Sequence, residues 1–215
     1  MNTSSNSARI KSDQESAQLY ANRNPAKHEA EMKMLSKAFR FIPAGEVSTA
    51  LDAPCGVGRI SVWLGRRGYA VTAIDLGIAA VEMTRSLLAQ ERIVEASTQR
   101  MDIFDTSFPE KSFDATVCFR LLHHFEDPEV QQQLIQELCR VTKKYVIISY
   151  ISPYSVTSIR RRLRKKLFNK PIKQYPNTIT QLETMFASDN FEPHRLVQRS
   201  GFLHSLQLAV FARKS

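Results

Sequence analysis

Apolar and polar positions along this chain switch repeatedly between a helical period and strand-like runs, and the switches outline an architecture. From Gln14 to Phe41 apolar residues recur at helical spacing, interrupted at Asn24-Pro25 and closed by Pro43-Ala-Gly45. The run Ala50-Leu51-Asp52 reads as a strand, and Ala53-Pro54-Cys55-Gly56-Val57-Gly58 turns it into a helix carrying Ile60, Trp63 and Leu64. Tyr69 to Asp75 has the length and apolar content of a second strand, and Ile78 to Ala89 is an amphipathic helix through Ala79, Ala80, Met83 and Leu87. Thr98 to Phe104 reads as a third strand that ends at Asp102, and Ala115 to Phe119 as a fourth. Glu129 to Thr142 repeats Val130, Leu134, Ile135 and Leu138 as a helix, and the unbroken apolar core of Lys143 to Tyr150 marks a fifth strand buried on both faces. A helix opens on Thr178 as its cap, and Glu192 to Arg199 pairs with Leu203 to Ala212 as a closing hairpin.

Strands alternating with helices call for a parallel sheet covered on both sides. The expectation is an α/β, Rossmann-like single domain: a mostly parallel seven-stranded sheet, its last strand antiparallel, with helices on both faces. With 215 residues, 43% of them hydrophobic, the chain fills one such domain and is too short for two. Residues 1 to about 15 are rich in Ser, Asn and charge and read as disordered, so the domain is placed at 16–215, with an insert at about 151–176. No run of eighteen apolar residues occurs and the first residues are polar, which points to the cytoplasm. Cys55, Cys118 and Cys139 are odd in number and set in apolar segments, as suits reduced thiols, and no metal-ligand spacing is present.

Candidate chemistry starts at the glycine turn. Gly56 and Gly58 leave bare backbone where a strand enters a helix, so a nucleotide-like ligand can approach closely. A dinucleotide fingerprint needs a third glycine, but Ser61 stands in that place. Asp52, just before the turn, repels a pyrophosphate and favours a ligand carrying an ammonium or sulfonium group. Asp75 follows about twenty positions after the turn, the spacing at which such folds place a carboxylate on ribose hydroxyls. A helix N-cap is the other role open to it.

The stretch Leu51-Asp52-Ala53-Pro54-Cys55-Gly56-Val57-Gly58, followed by Ser112-Phe113-Asp114 and Leu122-His123-His124, resembles the motif series of the class I S-adenosylmethionine (SAM) dependent methyltransferases. Their first motif commonly reads Leu-Asp-x-Gly-x-Gly-x-Gly, and Pro54 replaces its first glycine here. The resemblance implies SAM as cofactor, cradled by Asp52, Ala53, Pro54, Gly56 and Gly58, with Asp75 and Leu76 at the ribose. It implies that Asp102 accepts from the adenine amino group while the backbone of Ile103 meets the ring; a solvent-facing aspartate at a strand end is the alternative. Arg120 opens the loop after the fourth strand and is placed with the cofactor. His123 and His124 in the same loop are the candidate general bases, since a histidine titrates near working pH; packing under and capping the next helix is their other reading. Tyr20 or Arg23, on the N-terminal helix, is a candidate to close over the methionine end of SAM, or that helix only covers the sheet.

The net charge of +9 is concentrated from Arg160 to Lys166, six cations in seven residues, with Lys170 and Lys173 behind. An anionic partner explains such a run, and so does a solvated helix face. The resulting expectation is a SAM-dependent methyltransferase acting on a small-molecule or lipid-linked anionic acceptor, with the basic run in peripheral contact with an anionic membrane. The alternatives are methylation of RNA and a catalytically inactive SAM-fold adaptor on an anionic surface. The Asn/Asp-Pro-Pro-aromatic tetrapeptide of many base-amine methylases is missing after the fourth strand, so nucleic acid ranks below a small acceptor.

Overall fold

A computed structural model describes residues 25–160, 174–198 and 204–214. The expectations for residues 1–15, Tyr20, Arg23 and the basic run beyond Arg160 lie outside the described residues.

Helix α1, Pro25–Phe39, begins at the proline, whose missing N–H costs nothing in a first turn. Strand β1 (Thr49–Asp52) leads to α2 (Arg59–Gly65), β2 (Ala70–Asp75), α3 (Ile78–Gln90) and β3 (Ala96–Arg100). Strand β4 (Phe113–Cys118) is followed by a 3-10 turn, Leu122–His124, then α4 (Pro128–Val141) and β5 (Thr142–Ile151). Helix α5 (Ile179–Ala187) and strands β6 (Phe191–Gln198) and β7 (Leu206–Arg213) complete the order. Asp127 caps α4 by accepting from the Glu129 N–H at 2.9 Å, and Thr178 with Gln181 forms a reciprocal capping box on α5.

The seven strands lie in the order β3-β2-β1-β4-β5-β7-β6, parallel from β3 to β5, with β7 antiparallel to both β5 and β6. The fold is therefore the mostly parallel seven-stranded sheet that the pattern of strands and helices called for. Its two faces are filled by alternate residues of the same strands. On β5, Tyr145 and Ile147 join Leu35, Trp63 and Val210 on one side, while Val146, Ile148 and Tyr150 join Leu134, Phe186 and Phe211 on the other. The edge strands β3 and β6 are more exposed, and Pro193 is tolerated on β6 because an edge has N–H positions no ladder needs.

One boundary differs from the sequence reading. Strand β3 stops at Arg100, paired with Asp75, and Asp102 lies in the following loop instead of at a strand end. The reason is local: the Asp102 side chain accepts from the Phe104 N–H at 3.0 Å and its carbonyl from Asp105, a turn that competes with strand pairing.

Asp114, first seen as part of a motif, ties two strands together at the end of the sheet away from the glycine turn. One carboxylate oxygen accepts from the Ser48 N–H (2.9 Å), the Ser48 hydroxyl (2.8 Å), the Thr49 N–H (3.0 Å) and the Thr49 hydroxyl (3.1 Å). These donors outweigh the cost of burial and hold the carboxyl far below the usual carboxylate range. A depressed folded-state pKa adds stability above the unfolded value and loses it as pH falls toward the folded one. Asp114→Asn is expected to destabilise the protein by about 2–4 kcal/mol at pH 7, as suits several hydrogen bonds to one charge. In urea melts the gap between wild type and variant should close as pH is lowered below 4; a gap that does not change with pH refutes the assignment.

Candidate functional site

Strand order reverses beside β1: the chain runs outward to β2 and β3, then crosses to β4 on the other side. At such a switch point the connecting loops part and leave a crevice at the carboxyl ends of the strands. A cavity fills this crevice, floored by Pro54, Cys55, Gly56 and Val57. Ile74, Asp75, Leu76 and Ala80 form one wall, Met101 to Phe104 lie beyond, and Phe119, Arg120, Leu121, His124 and Phe125 face them, with Arg59 and Ile60 above the floor.

The glycine turn is held from behind. Gly56 (φ +54°) donates its N–H to one Asp75 oxygen at 3.0 Å, while the other accepts from Gly77 at 2.9 Å, at the start of α3. Each oxygen keeps a lone pair for a further donor from the cavity. Burial raises the Asp75 pKa against these backbone donors. Gly58 (φ +80°) does a different job: a Cβ there would lie 2.9 Å from the Cα of Thr84, so it lets α2 and α3 approach. Thr84 in turn donates to the Gly56 carbonyl at 3.0 Å. Pro54 enters the turn through a cis peptide bond, and the next residue, Cys55, donates its N–H to Ile74 at 2.8 Å.

Of the residues singled out from the sequence, Pro54, Gly56, Asp75, Leu76, Asp102, Ile103, Arg120 and His124 line this cavity. Asp52, Ala53, Gly58 and His123 do not. Asp52 sits beneath the turn with no solvent exposure and accepts from the Ser61 hydroxyl at 2.6 Å. That explains the serine at the third-glycine position: it supplies the buried carboxylate with a donor. Burial pushes the Asp52 pKa up to about 7, with Ser61 opposing and Asp75 reinforcing the shift. His123 is 1% exposed and faces a second cavity, whereas His124 is exposed on the wall of the first; their rings lie 4.5 Å apart.

The sequence reading missed Glu31, Arg59 and the aromatic pair. Glu31 is 1% exposed on α1 and joins two cavity residues: Arg59 at 3.2 Å and Arg120 at 2.9 Å. His28 lies 2.8 Å from Arg59. A signal for Glu31 was present, because it falls on the stripe of Met34, Leu35 and Ala38, where a charged residue needs partners. Phe104 and Phe125 meet edge to face, centroids 5.2 Å apart, beside Asp102. They offer an apolar surface to a flat ring. The three cysteines are buried free thiols whose pKa values burial raises, so they are poor nucleophiles here.

Residues 50–145 match the family model described as a methyltransferase domain. The chain is 37% identical over 79 residues to a ubiquinone biosynthesis O-methyltransferase of Alkalilimnicola ehrlichii, a match covering 36% of this chain and 32% of that protein. It is 26% identical over 125 residues to the chloroplastic magnesium protoporphyrin IX methyltransferase of Arabidopsis thaliana, covering 58% of this chain and 39% of that one. The chain thus spans only about a third of the length of these curated relatives. The crystal structure of magnesium protoporphyrin IX methyltransferase from Synechocystis with bound SAH superposes with a TM-score of 0.74 over 99% of this chain and 96% of that one; at 17% identity it shows a shared fold. Residues 50–145 thus resemble a methyltransferase domain, and the fold around them is one shared with a solved methyltransferase.

Asp52 makes a prediction about stability. A carboxyl whose folded pKa is raised adds nothing adverse below pH 4, where both states are protonated, and costs stability as pH rises toward 7. Asp52→Asn removes that slope. Its stability relative to wild type is expected to rise by roughly 4 kcal/mol between pH 4 and pH 8 in urea melts. A relative stability that does not change over that window overturns the buried-carboxylate account.

Proposed function

We propose that the chain is a SAM-dependent methyltransferase acting on a small-molecule acceptor, one that carries negative charge. The observation that supports this best is the order of groups along the first cavity. Asp75 and Asp102, with Phe104 and Phe125, stand at the β2–β3 end, and Arg59 and Arg120 at the β4 end. That order suits a ligand with a nucleoside at one end and an amino-acid carboxylate at the other. Asp75 receives ribose hydroxyls on its remaining lone pairs, Asp102 the amino group of the base, and a guanidinium the carboxylate.

When bound, the cofactor supplies a methyl group on a sulfonium, ready for in-line displacement by an acceptor atom. The protein's own work is to orient and to exclude water, because positioning at near-attack distance carries much of the rate in such a reaction. An oxygen or nitrogen acceptor must also lose a proton, and the 3-10 turn carries two imidazoles, the side chain most often used as a general base, at the β4 end of the cavity. His124 reaches the first cavity and His123 the second, so either can hold that proton, depending on the side from which the acceptor enters. We assign the basic run from Arg160 to Lys166 to recruitment of the anionic acceptor or of an anionic membrane face. Of it only Arg160 is described, exposed and helical in conformation. Among the described residues no helix is long and apolar enough to cross a membrane.

The test combines binding and turnover. Purified protein should bind SAM and its demethylated product in calorimetry, and Asp75→Ala should weaken binding by about tenfold or more, as for loss of hydrogen bonds to a charged group. Unchanged affinity in that variant would sink the assignment of the cavity. Labelled SAM incubated with fractionated cell extract should place label in the small-molecule or lipid fraction. Label in RNA points to the nucleic-acid alternative, and binding with no transfer to any fraction points to an adaptor.

The histidines are tested separately. Replacement of the one acting as base by Ala should lower turnover by about 10²–10⁴-fold with cofactor affinity nearly intact. Full turnover in both single variants shows that positioning alone carries the reaction.

A further inference from the structure

The first cavity ends at Arg120, and a second begins there. The first lies over the ends of β3, β2, β1 and β4, whereas the second lies over β4, β5 and the start of β7, between α1 and the segment after β5. Arg120 lines both, and it does so in a left-handed backbone conformation (φ +63°) that a branched or long side chain adopts only when its surroundings impose it. Two contacts impose it here: its N–H donates to the Ser149 hydroxyl on β5, and its guanidinium pairs with Glu31 on α1. The adjacent histidines divide in the same way, His124 toward the first cavity and His123 toward the second.

We propose that this second cavity is the methyl-acceptor site and that it takes an organic acid, a small carboxylate with an apolar body. This rests on the methyltransferase reading above. A ligand whose nucleoside end lies at Asp75 and Asp102 brings its other end to β4, so the adjoining space is where a second reactant can meet it. Of the charged side chains lining that space among the described residues, Lys27 and Arg120 are cationic and Glu31 anionic. Glu31 is also shared with Arg59, so positive charge is in excess around it. His123 and His204 add imidazole groups able to donate to an anion. Met34, Ile151 and Leu206 supply apolar surface in the same cavity. A cavity that combines several cationic donors with aliphatic side chains matches an acid head with an apolar body.

The experiment uses the full chain saturated with the demethylated cofactor, whose binding is first measured by calorimetry. A set of small monocarboxylates, each paired with its primary amide, is then screened by ligand-observed NMR. Acids should bind and their amides should not. Lys27→Gln, a change at an exposed position of α1, should weaken the acids by about tenfold, the value of one charge-assisted hydrogen bond, and Lys27→Glu should abolish their binding, both with unchanged affinity for the demethylated cofactor. Amides binding as well as acids, no acid binding, or acids indifferent to both Lys27 variants overturns the inference while leaving the cofactor site standing. Failure of the demethylated cofactor to bind at all overturns the methyltransferase reading and this inference with it.

Discussion

The carboxylate of Asp75 joins the parts on which the site depends. It takes the Gly56 N–H from the turn after β1 and the Gly77 N–H at the start of α3, so one side chain at the end of β2 fixes two loops. Without it those amides would face a partly buried crevice with no acceptor, a cost comparable to a lost hydrogen bond for each. Thr84 completes the arrangement by donating to the Gly56 carbonyl, and Gly58 lets the helix that carries Thr84 come close enough to do so. The floor of the cavity is thereby held by hydrogen bonds from both β2 and α3.

Two buried aspartates show how differently one sheet can treat the same group. Asp114 has four donors on one oxygen and stays ionised far below the usual range; Asp52, fully buried, has Ser61 and is driven up to about 7. The difference lies in both the count of donors and the depth of burial, which is complete only at Asp52. It also separates their roles: Asp114 holds β4 to the chain entering β1, at the end of the sheet remote from the crevice. Asp52 puts a titratable carboxyl directly beneath it.

Glu31 links the covering helix to the crevice. A buried carboxylate on α1 is tolerated because Arg59, at the start of α2, and Arg120, in the loop after β4, each pair with one of its oxygens. The same contacts orient both guanidinium groups along the cavity and set Arg120 at the boundary between the two cavities. The cover and the two cavities are thus joined through one ion-pair cluster.

Sequence alone determined the class of fold, the succession of strands and helices, and the glycine turn with Asp75 behind it, since these follow from local periodicity and from spacing within a single strand-turn-helix-strand unit. It also showed Asp102, although not that the residue lies in a turn past the end of β3, because a side chain competing for the backbone leaves no periodic trace. Asp52 and Gly58 could be recognised as motif residues, but whether they face a ligand or the core depends on how α2 and α3 pack. Neighbours in the chain, His123 and His124, were indistinguishable until the 3-10 turn directed one ring to each cavity. Glu31 with Arg59 and Arg120 was out of reach altogether: its members are separated by 28 and 89 positions, and only closure of α1 over the sheet, driven by burial of Met34, Leu35 and Phe39, brings them within bonding distance.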